Sequence, residues 1–159
     1  MYEQLKLDNQ LCFRFYAVSR LITQAYGPLL SEMEVTYPQY LVLLVLWERD
    51  GMPVNDIAKK LLLNTNTVTP LLKRMEEQNL VKRTKGVEDG RQVVVSLTPK
   101  GKALEEKAKC VPIQLGSKFV CEEIKDEDWP LIAGKLDSLI SVLSERGEQE
   151  TKSRPKAAQ

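Results

Sequence analysis

The stretch VNDIAKKLLLNTNTVTPLLKRMEEQNLVKRTKGVEDGRQVVVSL, residues 54–97, decides the fold of this chain. Apolar residues at helical spacing predict one short helix over 54–61 and a second over 64–77. Two β-branched runs, 80–84 and 91–97, are joined by a charged turn with glycines and therefore predict a β-hairpin. A helix, a turn, a second helix with a polar front and a basic hairpin are typical of a winged helix-turn-helix.

The polar front of the second helix indicates contact with DNA. In a helix-turn-helix, the first residues of the recognition helix face base edges in the major groove, where short polar side chains can reach bases and phosphates. Asn64 or Thr65 could instead be an N-cap, and one residue can both cap a helix and contact a phosphate. The candidate DNA-binding residues in this stretch are Asn64, Thr65, Asn66, Thr67, Thr69, Lys73, Arg74 and Arg83.

The charge distribution supports this interpretation. Residues 59–102 carry 10 basic and 4 acidic side chains, a net charge of +6, whereas the whole chain of 159 residues carries only +1. The positive charge therefore lies where the predicted helix and hairpin would meet the phosphates of a duplex. The alternative is a basic face that only contacts solvent. Because the basic residues coincide with the predicted helix-turn-helix motif, this alternative is the weaker one.

The cysteine and histidine content excludes several functions. The chain has no histidine, and its three cysteines, Cys12, Cys110 and Cys121, form no C-x-x-C pair. This composition argues against Ser/His or Cys/His catalysis and against the usual zinc ligand sets, so we expect no metal and no cofactor. No apolar run is long enough for a membrane span and no signal peptide is seen, so a cytoplasmic protein without membrane association is expected.

Helical patterns continue before the motif. A long first helix is predicted over 7–30, and Gly27-Pro28 is expected to disturb or end it. Tyr16 in this helix is interpreted as part of the core. The next helix begins with Thr36 as the N-cap and is apolar nearly all round as far as Trp47, so it should be buried.

Further helices are predicted after the hairpin. Thr98 is the expected N-cap of the first of them, which should break at Pro112 and resume over 113–121. A last helix begins at Asp126 or Glu127 and carries apolar residues at three- and four-residue spacing.

These patterns predict a mainly α fold with a small β-hairpin wing, a winged helix-turn-helix flanked by dimerisation helices. We expect an N-terminal dimerisation helix and linker over 1–35, a DNA-binding lobe over 36–97, C-terminal dimerisation helices over 98–146 and a disordered polar tail over 147–159. The apolar helix faces at both ends of the chain would be covered in a homodimer, which would also present two recognition helices to a pseudo-palindromic operator in double-stranded DNA. A self-contained helical bundle is the alternative.

The chain resembles the MarR family of winged-helix repressors over nearly everything before the polar tail. The run Glu88-Asp89-Gly90-Arg91 is similar to the family's wing. The resemblance implies that Arg91 reaches into the minor groove, where negative potential is concentrated, and that Asp89 braces the wing by an ion pair. Gly90 stands where related members more often carry glutamate.

Four further runs are LDNQLCF at 7–13, TYPQY at 36–40, LWE at 46–48 and TVTPLLKRM at 67–75. On these runs the chain is similar to the organic hydroperoxide sensors of that family, the OhrR-type regulators. The resemblance implies that Cys12 is the peroxidatic thiol and that Tyr26 and Tyr37 hydrogen-bond to it. From spacing alone, Cys12 would be a small buried hydrophobe. In two-cysteine members the sensing thiol forms a disulfide across the dimer with a cysteine in about the region of Cys121, whereas Cys110 is interpreted as incidental.

The function expected from these observations is transcription regulation. The chain is predicted to be a DNA-binding repressor that organic hydroperoxides release from its operator by oxidising Cys12. One alternative is a MarR-type repressor that senses a small aromatic or phenolic ligand. Alternatives of other classes are a thiol peroxidase that uses Cys12 and a helical interaction protein that does not bind DNA. The basic block over 59–102 argues against an enzyme, because a peroxidase has no use for it.

Overall fold

The computed structural model describes residues 2–86, 92–119 and 121–153. The chain divides into two compact units, Met1–Leu115 and Gly116–Gln159. The helices are α1 (Leu11–Ser31), α2 (Tyr37–Glu48), α3 (Val54–Lys60), α4 (Thr65–Glu77), α5 (Pro99–Ala108), α6 (Val111–Gly116) and α7 (Trp129–Ser153). The strands are β1 (Met52–Pro53), β2 (Val81–Lys85) and β3 (Val93–Leu97).

Helix α2 lies at the centre of the first unit, as its apolar sequence predicts. Thr36 is its N-cap and forms a capping box with Gln39, whose side chain accepts a hydrogen bond from the Thr36 N–H at 2.9 Å. The two reciprocal bonds of a capping box satisfy backbone N–H groups that the start of a helix otherwise leaves unpaired. Tyr40, Leu43 and the rest of its inner face are fully buried, so α2 is the element on which the others pack.

The predicted hairpin is confirmed, and the sheet has one strand more than predicted. Strands β2 and β3 pair antiparallel with Arg83 opposite Val95, and β1 adds to the other side of β3 with Met52 opposite Val95. The sequence gives no sign of β1, because two residues that include Pro53 show no alternation. The result is a three-stranded sheet of order β1-β3-β2 beside α3 and α4.

The first helix begins later than predicted and ends within one residue of its predicted end. Residues Leu7–Asn9 form a separate 3-10 turn, and α1 begins at Leu11. Pro28 does not end the helix, which continues to Ser31. A proline removes one intrahelical bond, to the carbonyl of the residue four positions earlier. Here that residue is the exposed Gln24, so water can replace the lost bond.

The break near Pro112 lies earlier than predicted. Helix α5 ends at Ala108, and α6 begins at Val111, so Pro112 sits in the first turn of a new helix, where a missing N–H is tolerated. Helix α6 ends at Gly116 and does not reach residue 121. The N-cap role of Thr98 is confirmed, since its hydroxyl accepts from the Gly101 N–H at 3.1 Å.

The second unit consists mainly of α7, which a 3-10 turn at Asp126–Asp128 precedes. The prediction of a disordered tail is wrong for residues 147–153, because α7 continues to Ser153. Glu, Gln, Lys and Arg favour a helix even where there is no core to cover. Residues 154–159 lie outside the described part of the chain.

Both units expose apolar helix faces. Tyr16 belongs to one of them, with 57% of its surface exposed, so its assignment to the core is wrong. Of the described helices, none is sufficiently long and apolar to cross a membrane. The exposed apolar residues are Leu11, Phe15, Val18 and Leu21 on α1, and Leu131, Leu136, Leu139, Ile140, Val142 and Leu143 on α7.

Candidate nucleic-acid interface and thiol site

Helix α4 divides cleanly into a buried and an exposed face. Its apolar residues at three- and four-residue spacing, Val68, Leu71, Leu72 and Met75, are buried against the core. This packing leaves the polar first turns of the helix at the surface. All the candidate residues of this helix and its N-cap are exposed: Asn64, Thr65, Asn66, Thr67, Thr69, Lys73 and Arg74.

The start of α4 is connected to the preceding helix by side chains. Asn64 occupies the N-cap position, but its side chain makes no capping bond, so capping does not occupy its amide. The Thr65 hydroxyl donates to Asn55 Oδ1 at 3.2 Å, and the Thr69 hydroxyl donates to the Thr65 carbonyl at 2.8 Å. Asn55 therefore belongs to the same polar surface. Sequence reasoning missed it, although its place at the start of α3 was the available signal.

An ion pair fastens the wing to the recognition helix. Glu76 accepts from the backbone N–H of Arg83 at 2.9 Å and from the guanidinium Nε at 2.8 Å, while Nη2 lies 2.8 Å from the same carboxylate. The backbone bond, followed by the guanidinium bond, lowers the pKa of Glu76. Arg83 was predicted from sequence to bind DNA. In the structure its guanidinium holds β2 on α4.

The tip of the wing is not part of the described chain. Asp89 and Arg91, and with them the predicted ion pair, fall among residues 87–91, which lie outside it. Below the tip, the Gly86 N–H donates to the Gln92 carbonyl at 2.8 Å and closes the hairpin. The roles of both residues stay predictions.

Asp50 anchors the opposite end of the sheet. Its Oδ1 accepts from the N–H groups of Gly51 at 2.9 Å and Leu97 at 2.8 Å, and its Oδ2 lies 3.2 Å from Lys102 Nζ. Burial raises the pKa of Asp50, but the bonds from Leu97, Lys102 and Gly51 outweigh burial, and the net shift is downward. The carboxylate thus joins the end of α2, the end of β3 and α5.

Three tyrosines meet where α1 packs on α2. The Tyr26 ring lies 4.7 Å from the Tyr37 ring and 5.6 Å from the Tyr40 ring, centroid to centroid. Burial raises the pKa of all three phenols, and the neighbouring phenols raise those of Tyr26 and Tyr40 further. The hydroxyls therefore keep their protons at neutral pH and can donate hydrogen bonds. Sequence reasoning selected Tyr26 and Tyr37 but missed Tyr40.

Cys12 lies at the other end of α1, apart from these tyrosines. It is the second residue of the helix and is exposed, so its interpretation as a buried hydrophobe is wrong. Fourteen residues separate it from Tyr26, about 21 Å along a helix that rises 1.5 Å per residue. Within one chain, the structure does not bring Cys12 to the tyrosines. Cys110 and Cys121 are also free and exposed.

A known family model matches the part of the chain that carries these features. The model is described as the transcriptional regulator SarA/Rot, and it matches residues 24–108. This span runs from the last turns of α1 through the helix-turn-helix and the wing to the end of α5.

Individual relatives cover almost the whole chain. It is 41% identical over 145 residues to the organic hydroperoxide resistance transcriptional regulator of Bacillus subtilis strain 168, which covers 91% of this chain and 97% of the relative. It is also similar to AbfR of Staphylococcus epidermidis. The structure of reduced AbfR bound to DNA has 39% identity and a TM-score of 0.70, covering 89% of this chain and 96% of that one. Overoxidized AbfR bound to DNA has 38% identity and the same TM-score of 0.70, covering 89% and 97%.

Proposed function

The chain belongs to the MarR family of winged-helix transcriptional regulators, in the group that the SarA/Rot model describes, and from this premise we propose that oxidation of Cys12 releases it from operator DNA. The observation that carries the proposal is the pair of half-buried phenols, Tyr26 at the end of α1 and Tyr37 at the start of α2, together with an exposed thiol at the other end of α1. The similarity to an organic hydroperoxide resistance regulator supports an organic hydroperoxide as the oxidant.

The exposed polar face of α4 is the proposed reader of the operator. Its first residues enter the major groove, while Lys73 and Arg74 lie farther along the same helix and contact phosphates. Arg91 reaches the minor groove from the wing tip, braced by Asp89. The net charge of +6 over 59–102 supports this face as the phosphate-binding surface.

The redox step is a two-electron oxidation of one sulfur. The Cys12 thiolate attacks the terminal, hydrogen-bearing oxygen of the hydroperoxide, so that an S–O bond forms and the O–O bond breaks. Cys12 becomes a sulfenic acid, and the peroxide is reduced to an alkoxide that takes a proton and leaves as the alcohol. Phenol hydroxyls can stabilise this leaving oxygen by hydrogen bonds, and tyrosines with raised pKa values keep the required protons.

The proposed sensing site is shared between two copies of the chain. Cys12 and Tyr26 are about 21 Å apart in one copy, too far for a hydrogen bond. A two-fold axis that crosses α1 near Ser19, halfway between them, would pair two α1 helices antiparallel. Cys12 would then lie beside Tyr26 and Tyr37 of the partner subunit. The exposed apolar residues of α1, Phe15 and Val18 among them, supply the surface for this pairing.

The oxidised product determines whether DNA is released. A relative, AbfR, has been solved bound to DNA in its overoxidized form, so overoxidation does not prevent DNA binding by that protein. We therefore place release in this chain at a bulkier product, either a mixed disulfide of Cys12 with a small thiol or a disulfide with Cys121 of the partner subunit. Either product pushes on the packed α1 pair and changes the spacing of the recognition helices.

The test follows chemistry and DNA binding in one sample. Operator duplexes are selected from a random pool with the reduced protein, and cumene hydroperoxide is then added with and without a small thiol. Peptide mapping should locate the first oxidation at Cys12, although Cys110 and Cys121 are also exposed. After cumene hydroperoxide is added, the Cys12→Ser variant should stay bound to operator DNA, whereas Cys110→Ser should dissociate from it as the wild type does. First oxidation at Cys110 would contradict the proposal.

A second candidate function is the binding of a small aromatic ligand. An open, mainly apolar groove of about 430 Å³ lies beside α2 and α5. Its aromatic floor, Tyr40 and Trp47, and its charged rim suit a planar molecule with one polar end. Binding of 4-hydroxybenzoate that weakens operator affinity of both wild type and Cys12→Ser would favour this function over redox sensing. The lining residues are Tyr40, Leu44, Trp47, Glu48, Glu105, Ala108, Lys109 and Pro112.

A further inference from the structure

Gln39 is the one polar side chain that is buried in the part of the chain that the structure describes, with 4% of its surface exposed. Its Oε1 accepts from the Thr36 N–H at 2.9 Å and from the Thr36 hydroxyl at 3.2 Å. Its Nε2 donates to Gln78 Oε1 at 2.7 Å. Burial of an amide is costly unless its polar atoms find partners, so these bonds fix the side chain in one position.

The bond from Gln39 joins the start of α2 to the end of the recognition helix. Tyr37 is the first residue of α2, so it shares a helical turn with Gln39. Gln78 is the C-cap of α4, and its backbone carbonyl oxygen accepts a hydrogen bond from Lys100 Nζ at 3.1 Å. One end of the link thus lies beside the tyrosine pair, and the other lies at the end of α4.

The turn that follows Gln78 is held on its other side by α5. The Thr98 N–H and hydroxyl both donate hydrogen bonds to the Leu80 backbone carbonyl, at 3.1 Å and 3.2 Å. Gly101 approaches the same carbonyl so closely that a Cβ there would lie 2.1 Å from the oxygen. Asn79 completes the turn with a left-handed backbone, φ 61°. This turn cannot absorb a displacement easily, so a shift of Gln78 is passed on to α4 and β2.

We propose that the Gln39–Gln78 hydrogen bond is the link by which a change at the Tyr26–Tyr37 pair moves the recognition helix. The inference rests on the proposed function, because it assumes that oxidation displaces Tyr37. A displaced Tyr37 moves the first turn of α2 and with it Gln39, and the bond transfers that movement to Gln78. Gln78 is a positioning residue, not a member of the thiol site or of the DNA-binding face.

Variants of Gln78 test the link without touching the capping box of α2. Gln78→Ala removes the acceptor, whereas Gln78→Glu keeps an oxygen that can accept from Gln39 Nε2. Glu77→Ala is the matched control, an exposed neighbour at the same helix end. The measured quantity is the ratio of operator dissociation constants after and before oxidation by cumene hydroperoxide in the presence of a small thiol. Charge effects on DNA binding cancel in this ratio.

We expect the ratio of Gln78→Ala to fall about fivefold below that of the wild type, the factor that one ordinary intramolecular hydrogen bond is worth. Gln78→Glu and Glu77→Ala should keep the wild-type ratio, and all variants should oxidise Cys12 at the wild-type rate. A wild-type ratio in Gln78→Ala, or slower oxidation of its Cys12, would overturn the link alone. If wild-type protein itself shows no release, the proposed function fails and the link fails with it.

Discussion

The phenol rings of Tyr26 and Tyr37 lie 4.7 Å apart, centroid to centroid, and join α1 to α2. Burial raises the pKa of each, so both are protonated donors throughout the physiological pH range. Two fixed O–H donors can orient a hydroperoxide and stabilise the oxygen that leaves it. They occupy α1 and α2, the helices through which a change at the thiol would have to reach α4.

Removal of the Tyr37 hydroxyl should slow sensing without weakening DNA binding. Tyr37→Phe keeps the ring and its packing but loses the donor, and a hydrogen bond to a developing charge is worth about 10- to 100-fold in rate. The oxidation rate of Cys12 is measured by stopped flow with cumene hydroperoxide. Tyr16→Phe is the control, because Tyr16 is an exposed tyrosine of α1. Equal rates for the two variants would remove Tyr37 from the site.

Mixed dimers should show that the sensing site is shared between subunits. One subunit carries Cys12→Ser, and the other carries Tyr26→Phe together with Tyr37→Phe, so the dimer holds a single Cys12. If the site is shared, that thiol faces intact tyrosines of the other subunit and reacts at the wild-type rate. If the site lies within one subunit, it reacts as slowly as the homodimer of the double tyrosine variant, and the shared geometry is refuted.

Loss of the Glu76–Arg83 pair should loosen the wing. Because Arg83 is held by Glu76, Glu76→Ala and Arg83→Ala should weaken operator binding by similar factors. A lost phosphate contact would reduce the slope of log affinity against log salt concentration by about one unit. Neither variant should show that change. Lys73→Ala is the comparison, since loss of the exposed Lys73 ammonium is expected to reduce the slope. A reduced slope for Arg83→Ala, with no effect of Glu76→Ala, would make Arg83 a direct phosphate contact instead.

Stability should fall in acid through two carboxylates. The pKa of Glu76 is held below its ordinary value of 4.5, and that of Asp50 below 3.8. A lowered folded-state pKa stabilises the fold fully above these ordinary values, and the stabilisation is lost as the pH falls through the folded-state pKa. Asp50→Asn should therefore show a shallower acid decline in the free energy of unfolding than the wild type, measured by urea denaturation from about pH 6 to about pH 2. Asp56→Asn, an exposed control, should keep the wild-type slope.

Local signals were sufficient to predict much of the fold. The capping residue Thr36 and the apolar run after it predicted the buried α2, and the two β-branched runs predicted the hairpin. The polar front of α4 is exposed as predicted, because its apolar residues recur at the spacing that buries the opposite face. These features depend only on residues that are neighbours in sequence, so the sequence alone is sufficient to predict them.

Features that depend on distant residues could not be predicted. The partners Gln39 and Gln78 are 39 positions apart, and no periodicity relates them. The same holds for β1, which exists because β3 offers it an edge. The sequence left open whether Gly27-Pro28 would disturb or end α1, because the exposure that makes the proline tolerable is a property of the fold.

The most direct measurement of the central claim is the fluorescence anisotropy of a labelled operator duplex bound to reduced protein, followed after one equivalent of cumene hydroperoxide is added in the presence of a small thiol. The account predicts that the anisotropy falls to that of free DNA with wild-type protein, stays high with Cys12→Ser, and recovers when dithiothreitol reduces the disulfide. Unchanged anisotropy with the wild type, or an equal fall with Cys12→Ser, would contradict it.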